Sequence, residues 1–399
     1  MTKSGNRYNL IGRLIGVCLL GALITCLGMC GSGGSSAASS STQTSGNSAT
    51  QTVSSGDGSG SQTGGSGSNS GSNSTSGNES SASSTGGGTP AATGFPSSDH
   101  VFVVMLENQS FPQVFPAGDA TKCSSSGMPY LCRLAAANGV ASNFYSNAHG
   151  SLLAYLFNTS GADWEGKPYD CNGSGCASPG VITGDNMVRA LTNANKRWRG
   201  YFEGMPHCGY MGGNTDNFVT DHNPFRWYSD VADSSSQQDN MCPFTQLATD
   251  ITANTLPNFG YIIPNQAHDA EGTGGQSASA LLSTADNWLK KNIGPLLSTA
   301  PFQKGGDGIL IVTFDESKVA GKSGDKSSDD ACSPTQSSGC GGHVAFVMIG
   351  PNVIAGSTAS NTYHFQDMLH TMIHLLGISD YMNGADGAAD IALLPGAGG

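Results

Sequence analysis

Two apolar runs in this chain stop abruptly on acids. Val101-Phe102-Val103-Val104-Met105-Leu106 leads straight into Glu107-Asn108-Gln109-Ser110, and Gly308-Ile309-Leu310-Ile311-Val312-Thr313-Phe314 leads into Asp315-Glu316-Ser317. Short continuous apolar runs of this kind read as strands buried on both faces. In open α/β sheets, ligands sit beyond the carboxyl ends of the strands. Glu107, Asn108, Asp315 and Glu316 would converge there as hard oxygen donors, the set that suits a divalent cation whose identity the residues do not specify. For either acid alone, a helix cap or a solvated loop is the competing explanation. Two strand ends of the same kind favour a shared site.

Other residues could work beside them. Ser151 follows a short predicted strand, Ser142–Tyr145, at the first turn of a predicted helix. It reads either as an N-cap, the commoner role for such a serine, or as a nucleophile held at a helix start that favours anions. His268 and Asp269 follow another predicted strand, so they should emerge at the same sheet edge, able to bind phosphate, move a proton or ligate metal. His222 lies in a second polar turn, and on its own it reads as structural. His343 precedes a strand after a Gly-rich turn; it either reaches the site or merely begins the strand. His370 and His374 have the i, i+4 spacing of a shared zinc ligand pair, but no Glu lies between them. With Leu369, Met372, Ile373 and Leu376 as neighbours, they read as the polar face of an amphipathic helix.

The elements that must position these groups alternate along the chain. Strand-like runs are Val101–Leu106, Trp198–Phe202, Asn258–Ile263, Ile309–Phe314 and Val344–Ile349. Helix-like runs are Met128–Ala137, Leu152–Phe157, Met187–Ala194, Phe244–Ala253, Ala285–Leu297 and Phe365–Leu376. The alternation predicts an α/β three-layer sandwich, a central and largely parallel sheet flanked by helices. The polar stretch from Ser317 to Gly342 is expected to run over the surface.

Residues 1–30 read as an export signal or lipoprotein signal: Lys3, Arg7 and Arg13 precede an apolar run from Leu14 to Met29, with Cys30 as the residue a lipid would modify. That modification would tether the chain to a membrane. Residues 31–95 are almost wholly small and polar, with Asp57 and Glu79 their only charges, and are expected to form a disordered linker. Residues 96–399 are enough for one sizeable core. The net charge of −12, with 17 Lys and Arg against 29 Asp and Glu, and the lack of a basic stripe exclude a nucleic-acid surface. Of 11 cysteines, Cys18, Cys26 and Cys30 lie in or beside the signal, leaving an even number for the exported part. That pattern predicts disulfides, and proximity pairs them as Cys123–Cys132, Cys171–Cys176, Cys208–Cys242 and Cys332–Cys340. The expected location is periplasmic, secreted or envelope-anchored.

Several landmarks occur together and in order: Met105-Leu106-Glu107-Asn108-Gln109-Ser110-Phe111, Asn147-Ala148-His149-Gly150-Ser151, His222-Asn223-Pro224-Phe225, Leu256-Pro257-Asn258-Phe259, Pro264-Asn265 with His268-Asp269, Thr313-Phe314-Asp315-Glu316-Ser317 and Ile349-Gly350-Pro351. In these the chain resembles the phosphoesterase family of acid phosphatases and bacterial phospholipases C, within the alkaline-phosphatase-like group of folds. Met128-Pro129-Tyr130-Leu131, Asp185-Asn186 and the stretch Pro301 to Gly308 resemble the acid phosphatase branch most. The resemblance implies a divalent metal on Glu107, Asn108, Ser151, Asp315 and Glu316. It implies Ser151 as nucleophile, with His268 or His343 assisting. His149, His222, Asn223 and Asp269 are assigned to substrate binding. The expected activity is hydrolysis of a small phosphomonoester through a phosphoserine. The competing expectations are a phospholipase C and a non-catalytic envelope-tethered binding protein. The chain departs from the family's usual pattern at Gly150, where Pro is usual, and at Leu153-Ala154.

Overall fold

The computed structural model describes residues 94–116, 118–120, 122–164, 181–215, 217–318 and 341–397. All belong to one compact unit, Thr85–Gly399. The signal, Cys30 and the linker up to residue 93 lie outside the described residues, as do Cys171, Cys176, Cys332 and Cys340.

Nine strands form one sheet among the described residues: β1 Val101–Leu106, β2 Gly139–Ser146, β3 Trp198–Phe202, β4 Met241–Pro243, β5 Phe259–Ile263, β6 Ile309–Phe314, β7 Gly342–His343, β8 Phe346–Ile349 and β9 Ser357–His364. The order is β4-β3-β5-β1-β6-β8-β2-β7, with β9 on β2. β7 and β8 run against the other seven strands. The sheet is therefore mixed but largely parallel, and helices flank it, as the alternation predicted. β1 and β6 sit centrally, and every residue of both is buried. Burying each such apolar side chain contributes about 1.5–3 kcal/mol relative to exposure. This explains why the runs carry no polar alternation.

The register of this central pair places the chemistry. Val101 lies opposite Ile309 and Leu106 opposite Phe314, so the two strands end flush. The residues that follow, Glu107 and Asp315, must then lie side by side at the carboxyl edge. β2, β3 and β5 run in the same direction and deliver their following residues to that edge too. β8 runs the other way, which brings His343, at its amino side, to this edge as well.

The helix Ser151–Ser160 is buried throughout except at Ser151. Its polar residues are internally satisfied: Thr159 Oγ1 donates to Tyr155 O at 2.7 Å, Ser160 Oγ to Leu156 O at 2.7 Å, and Tyr261 Oη to Asn158 Oδ1 at 2.8 Å. It packs against the helix Phe365–Leu375. The helix Pro129–Ala137 is capped from outside. Asp286, on the helix Ala278–Asn292, accepts from the backbone N–H of Tyr130 at 2.8 Å and of Leu131 at 2.9 Å. These are orphan donors of a helix start.

Some elements differ from expectation. The helix expected over Ala285–Leu297 is two helices, Ala278–Asn292 and Gly294–Leu297. Pro295 cannot continue the first one, since it has no N–H to give. Ser277 caps that first helix earlier than expected, accepting from Ala280 N at 3.3 Å. β4, β7 and β9 had no strand-like run to mark them. Cys123–Cys132 and Cys208–Cys242 form as predicted. Among the described residues, no helix is long and apolar enough to cross a membrane.

Candidate active site

Glu107 and Asp315 meet at the carboxyl edge because their backbones are already paired. Asp315 N donates to Leu106 O at 2.9 Å, and Asn108 N donates to Asp315 Oδ1 at 2.9 Å. Asn108 makes that bond in a left-handed conformation, φ 50°, which Asn tolerates better than most residues. On the other side, Glu107 N donates to Asp269 O at 2.8 Å, and Gln109 Nε2 donates to Ala270 O at 2.8 Å. The loop after β5 is thereby stitched to the end of β1. Three buried carboxyl groups, Glu107, Asp269 and Asp315, come together without a Lys or Arg side chain bonded to any of them among the described residues.

Ser151 joins this group from the helix start. Its Oγ donates to Glu107 Oε2 at 2.9 Å, and one turn later Tyr155 Oη donates to Glu107 Oε1. Gly150, the N-cap of this helix, has φ 102°. Proline, usual at this position in the family, is held near −65° and could not adopt that conformation. The entry into the helix is also held by Glu316. Its Oε2 accepts from His149 Nδ1 at 2.6 Å and from Gly150 N at 2.8 Å.

His222 closes the cluster. Its Nδ1 lies 3.5 Å from Glu107 Oε1 and 3.9 Å from Asp269 Oδ2. Asn223 is fully buried; its Nδ2 lies 3.3 Å from Met241 Sδ. Glu271, which the sequence did not single out, brings a carboxylate to the same place. One donor atom from each of Glu107, His222 and Glu271 lies within 4.8 Å of the others.

The electrostatics are those of a site short of positive charge. Burial, and next the charge of Asp315, push the Glu107 carboxyl well above its ordinary range. Burial does the same to Asp269, and raises Asp315 to about 7 with the charge of Glu316 adding to it. Burial lowers His222 to about 4, so its imidazole is neutral at neutral pH and keeps a lone pair to give. Among the described residues, Asp269 Oδ2, Asp315 Oδ2, Gln109 Oε1 and Asn223 Oδ1 are buried acceptors with no hydrogen-bond donor. Orphaned buried oxygens beside a neutral imidazole fit a divalent cation, which would supply the missing charge.

His268 lies at the same edge, and its Nδ1 is 3.0 Å from Glu203 Oε2. Glu203 also accepts from Asn265 N at 3.0 Å. Both are contacts that the sequence reading missed, although Glu203 directly follows β3 as Glu107 follows β1. Tyr155 was likewise missed, and its i, i+4 spacing from Ser151 was the available signal. His343 is placed differently from His268. Its Nε2 donates to Ser142 O at 2.8 Å, and its ring stacks on Phe111 at 4.5 Å and on Tyr145 at 4.8 Å.

The sequence is similar to known proteins along most of this unit. The sequence model of the Phosphoesterase family matches residues 121–379. A probable acid phosphatase of Kluyveromyces lactis is 26% identical over 227 residues, covering 55% of this chain and 48% of that protein. The phosphate-repressible acid phosphatase of Penicillium chrysogenum is 31% identical over 124 residues, covering 30% of this chain and 28% of that protein. The match thus spans about half the length of these relatives or less. Among solved structures, a protein of the alkaline phosphatase superfamily from Vibrio parahaemolyticus aligns with TM-score 0.45 at 12% identity, covering 74% of this chain and 71% of that one. The murine ectonucleotide pyrophosphatase/phosphodiesterase 5 aligns with TM-score 0.44 at 11% identity, covering 71% of this chain and 96% of that one. A family match that runs through every strand of the sheet except β1, and through Ser151, His222, His268 and Asp315 on the way, means that this chain belongs to the phosphoesterase family.

Proposed function

We propose that this chain is a metal-dependent phosphoesterase that hydrolyses small phosphomonoesters, with Ser151 as the nucleophile. The observation that carries this reading is the bond from Ser151 Oγ to Glu107, at 2.9 Å, inside a cluster of buried acids. An N-cap serine would accept from the backbone of its own helix; Ser151 instead follows an N-cap glycine and donates towards the cluster. The names of the relatives support the monoester, since they are acid phosphatases.

Glu107, Asp315 and Ser151 would hold the cation, with His222 and Glu271 offering further donor atoms. Asn108 and Glu316 complete the expected set. In this geometry Asn108 braces Asp315 through its backbone, and Glu316 braces His149 and Gly150. When bound, a divalent cation supplies charge that polarises a phosphoryl oxygen and favours the serine alkoxide.

The chain's own groups do the rest. Ser151 gives up its proton towards Glu107 and forms the Oγ–P bond as the ester oxygen leaves. His268, oriented by Glu203, gives that oxygen its proton. His268 is assigned this part rather than His343, whose Nε2 proton is committed to Ser142 O. Water then cleaves the phosphoserine, releasing inorganic phosphate and restoring the hydroxyl. His149, His222, Asn223 and Asp269 are assigned to substrate binding, as the resemblance implies. The two described disulfides fit an extracytoplasmic location; if residues 1–30 are a lipoprotein signal rather than an export signal, Cys30 is the residue a lipid would modify.

Ser151→Ala tests the reading. Turnover of a phosphomonoester should fall by several orders of magnitude with the fold kept. Rapid quench with labelled substrate should trap phosphate on the wild-type peptide containing Ser151 and on none in the variant. Near-normal turnover in Ser151→Ala would mean that water attacks directly. Parallel assays on a phosphodiester and on phosphatidylcholine distinguish the phospholipase alternative. Failure to hydrolyse any of them, with metal present, would leave the binding protein.

A further inference from the structure

The helix Phe365–Leu375 ends far from the acid cluster, and at that end the fold assembles a second group of metal-ligating side chains. His370 and His374 lie one turn apart on this helix. Asp390 comes to them from the segment that follows, and donor atoms of the three lie within 4.8 Å of one another. His374 Nδ1 is 2.8 Å from Asp390 Oδ2, and His370 Nε2 is 3.8 Å from Asp390 Oδ1. In a tetrahedral zinc site, with bonds of about 2.0–2.2 Å, neighbouring donor atoms sit roughly 3.3 Å apart. The two observed separations run to different oxygens of Asp390, one shorter and one longer than that value.

The arrangement is held from outside the cluster. Ala389 N donates to Asp367 Oδ1 at 2.9 Å, and Ile391 N donates to Thr371 Oγ1 at 2.9 Å. Asp390 is thus clamped on both sides to the same helix that carries the histidines. His370 Nδ1 lies 2.9 Å from Ala385 O, a carbonyl that can only accept. The proton is therefore on Nδ1, and the Nε2 lone pair points towards Asp390, the outer hydrogen bond that orients a metal-binding imidazole. His370 stacks on Tyr381 at 4.4 Å and His374 on Phe95 at 3.8 Å, which fixes both rings. Among the described residues, Asp390 Oδ1 has no hydrogen-bond donor. That leaves one carboxylate oxygen unused in the middle of the cluster.

We propose that His370, His374 and Asp390 form a second cation site, for zinc, distinct from the acid cluster. Two imidazoles and one carboxylate suit zinc rather than magnesium or calcium. Three protein ligands leave a fourth position to water, on the side where His374 is exposed. The location argues for a structural part. Ser98 N donates to Leu375 O at 2.7 Å, so this end of the helix lies beside the start of β1. Glu107 lies beyond the other end of that six-residue strand, about 20 Å away. Zinc there would fasten residues 385–391 and Phe95 to the end of the helix Phe365–Leu375, without touching substrate. On binding, His374 Nδ1 releases its proton to solvent and donates its lone pair to the metal.

The test uses the full chain, stripped with chelator and then titrated with Zn²⁺ or with Co²⁺ as a coloured substitute. Wild type should take up one more equivalent of zinc than His370→Ala/His374→Ala. Its cobalt form should show a four-coordinate visible band that the variant lacks. Saturating zinc should raise the Tm of wild type about 3–6 °C more than that of the variant, while phosphomonoesterase turnover stays the same in both. Asp390→Asn keeps a group of the same shape beside His374, so it should fold like wild type and bind the extra zinc at least ten-fold more weakly. Equal zinc equivalents in wild type and double variant, or undiminished affinity in Asp390→Asn, would overturn the site and leave an ordinary His–Asp pair.

Discussion

Glu203 stands one residue past β3, as Glu107 does past β1 and Asp315 past β6. Its role differs, because its neighbour is an imidazole rather than another buried acid. By holding Nδ1 of His268 it would set which ring nitrogen faces a substrate. If His268 protonates the leaving group, Glu203→Gln should act through orientation. We expect kcat to fall about 10- to 100-fold with KM little changed. The loss should be greater for alkyl phosphates, whose leaving oxygen needs a proton, than for aryl phosphates, which leave readily as anions. An equal loss for both ester types would remove His268 from proton transfer.

Short elements are held by specific polar contacts rather than by length. The helix Met187–Asn193 is capped by Asn186, whose Oδ1 accepts from Arg189 N at 3.1 Å and whose Nδ2 donates to Asp230 Oδ2 at 2.9 Å. Arg189 grips Asp230 with two nitrogens, at 3.1 and 2.9 Å. Burial pushes the Asp230 carboxyl up, but the bonds from Arg189 and Asn186 outweigh it and hold it below its ordinary value. A carboxyl depressed in the folded state contributes stability above its unfolded value, about 3.9, and loses it as pH falls through the folded value. Arg189→Ala should therefore cost about 1 kcal/mol at pH 7, the partly exposed setting keeping the figure small. The gap between variant and wild type should narrow towards pH 3. Urea unfolding at pH 7, 5 and 3 measures it, and a gap that does not change with pH would sink the assignment.

At the scale of the whole molecule, the sheet spends its carboxyl edge on a group of acids that repel one another. That arrangement is costly without a counter-charge. Chelation should abolish turnover and lower the Tm, and Asp315→Asn should do the first even with metal present. After both proteins are stripped of metal, Asp315→Asn should melt higher than wild type at pH 8, because a neutral amide is cheaper to bury than a carboxylate. Calorimetry with and without chelator checks both halves. A stripped wild type that keeps full turnover, or that melts above the variant, would mean that the acids are balanced by something other than a cation.

What the chain determined by itself was whatever depends on local pattern. The central strands β1 and β6 were legible to the residue, because strands buried on both faces leave uninterrupted apolar runs. Glu107 and Asp315 were legible because a polar residue directly after such a run has only the carboxyl edge to occupy. Cys123–Cys132 and Cys208–Cys242 were legible from proximity. β9 was not, since at the margin of the sheet only Ala359 and Tyr363 of its eight residues are buried and the rest are free to be polar. Glu271 was hidden in a Gly-rich loop whose path depends on the bond between Glu107 N and Asp269 O. His370 and His374 read correctly as one face of a helix. That Asp390 faces them was decided by hydrogen bonds between residues about twenty positions apart, and spacing along the chain carries no record of contacts made across it.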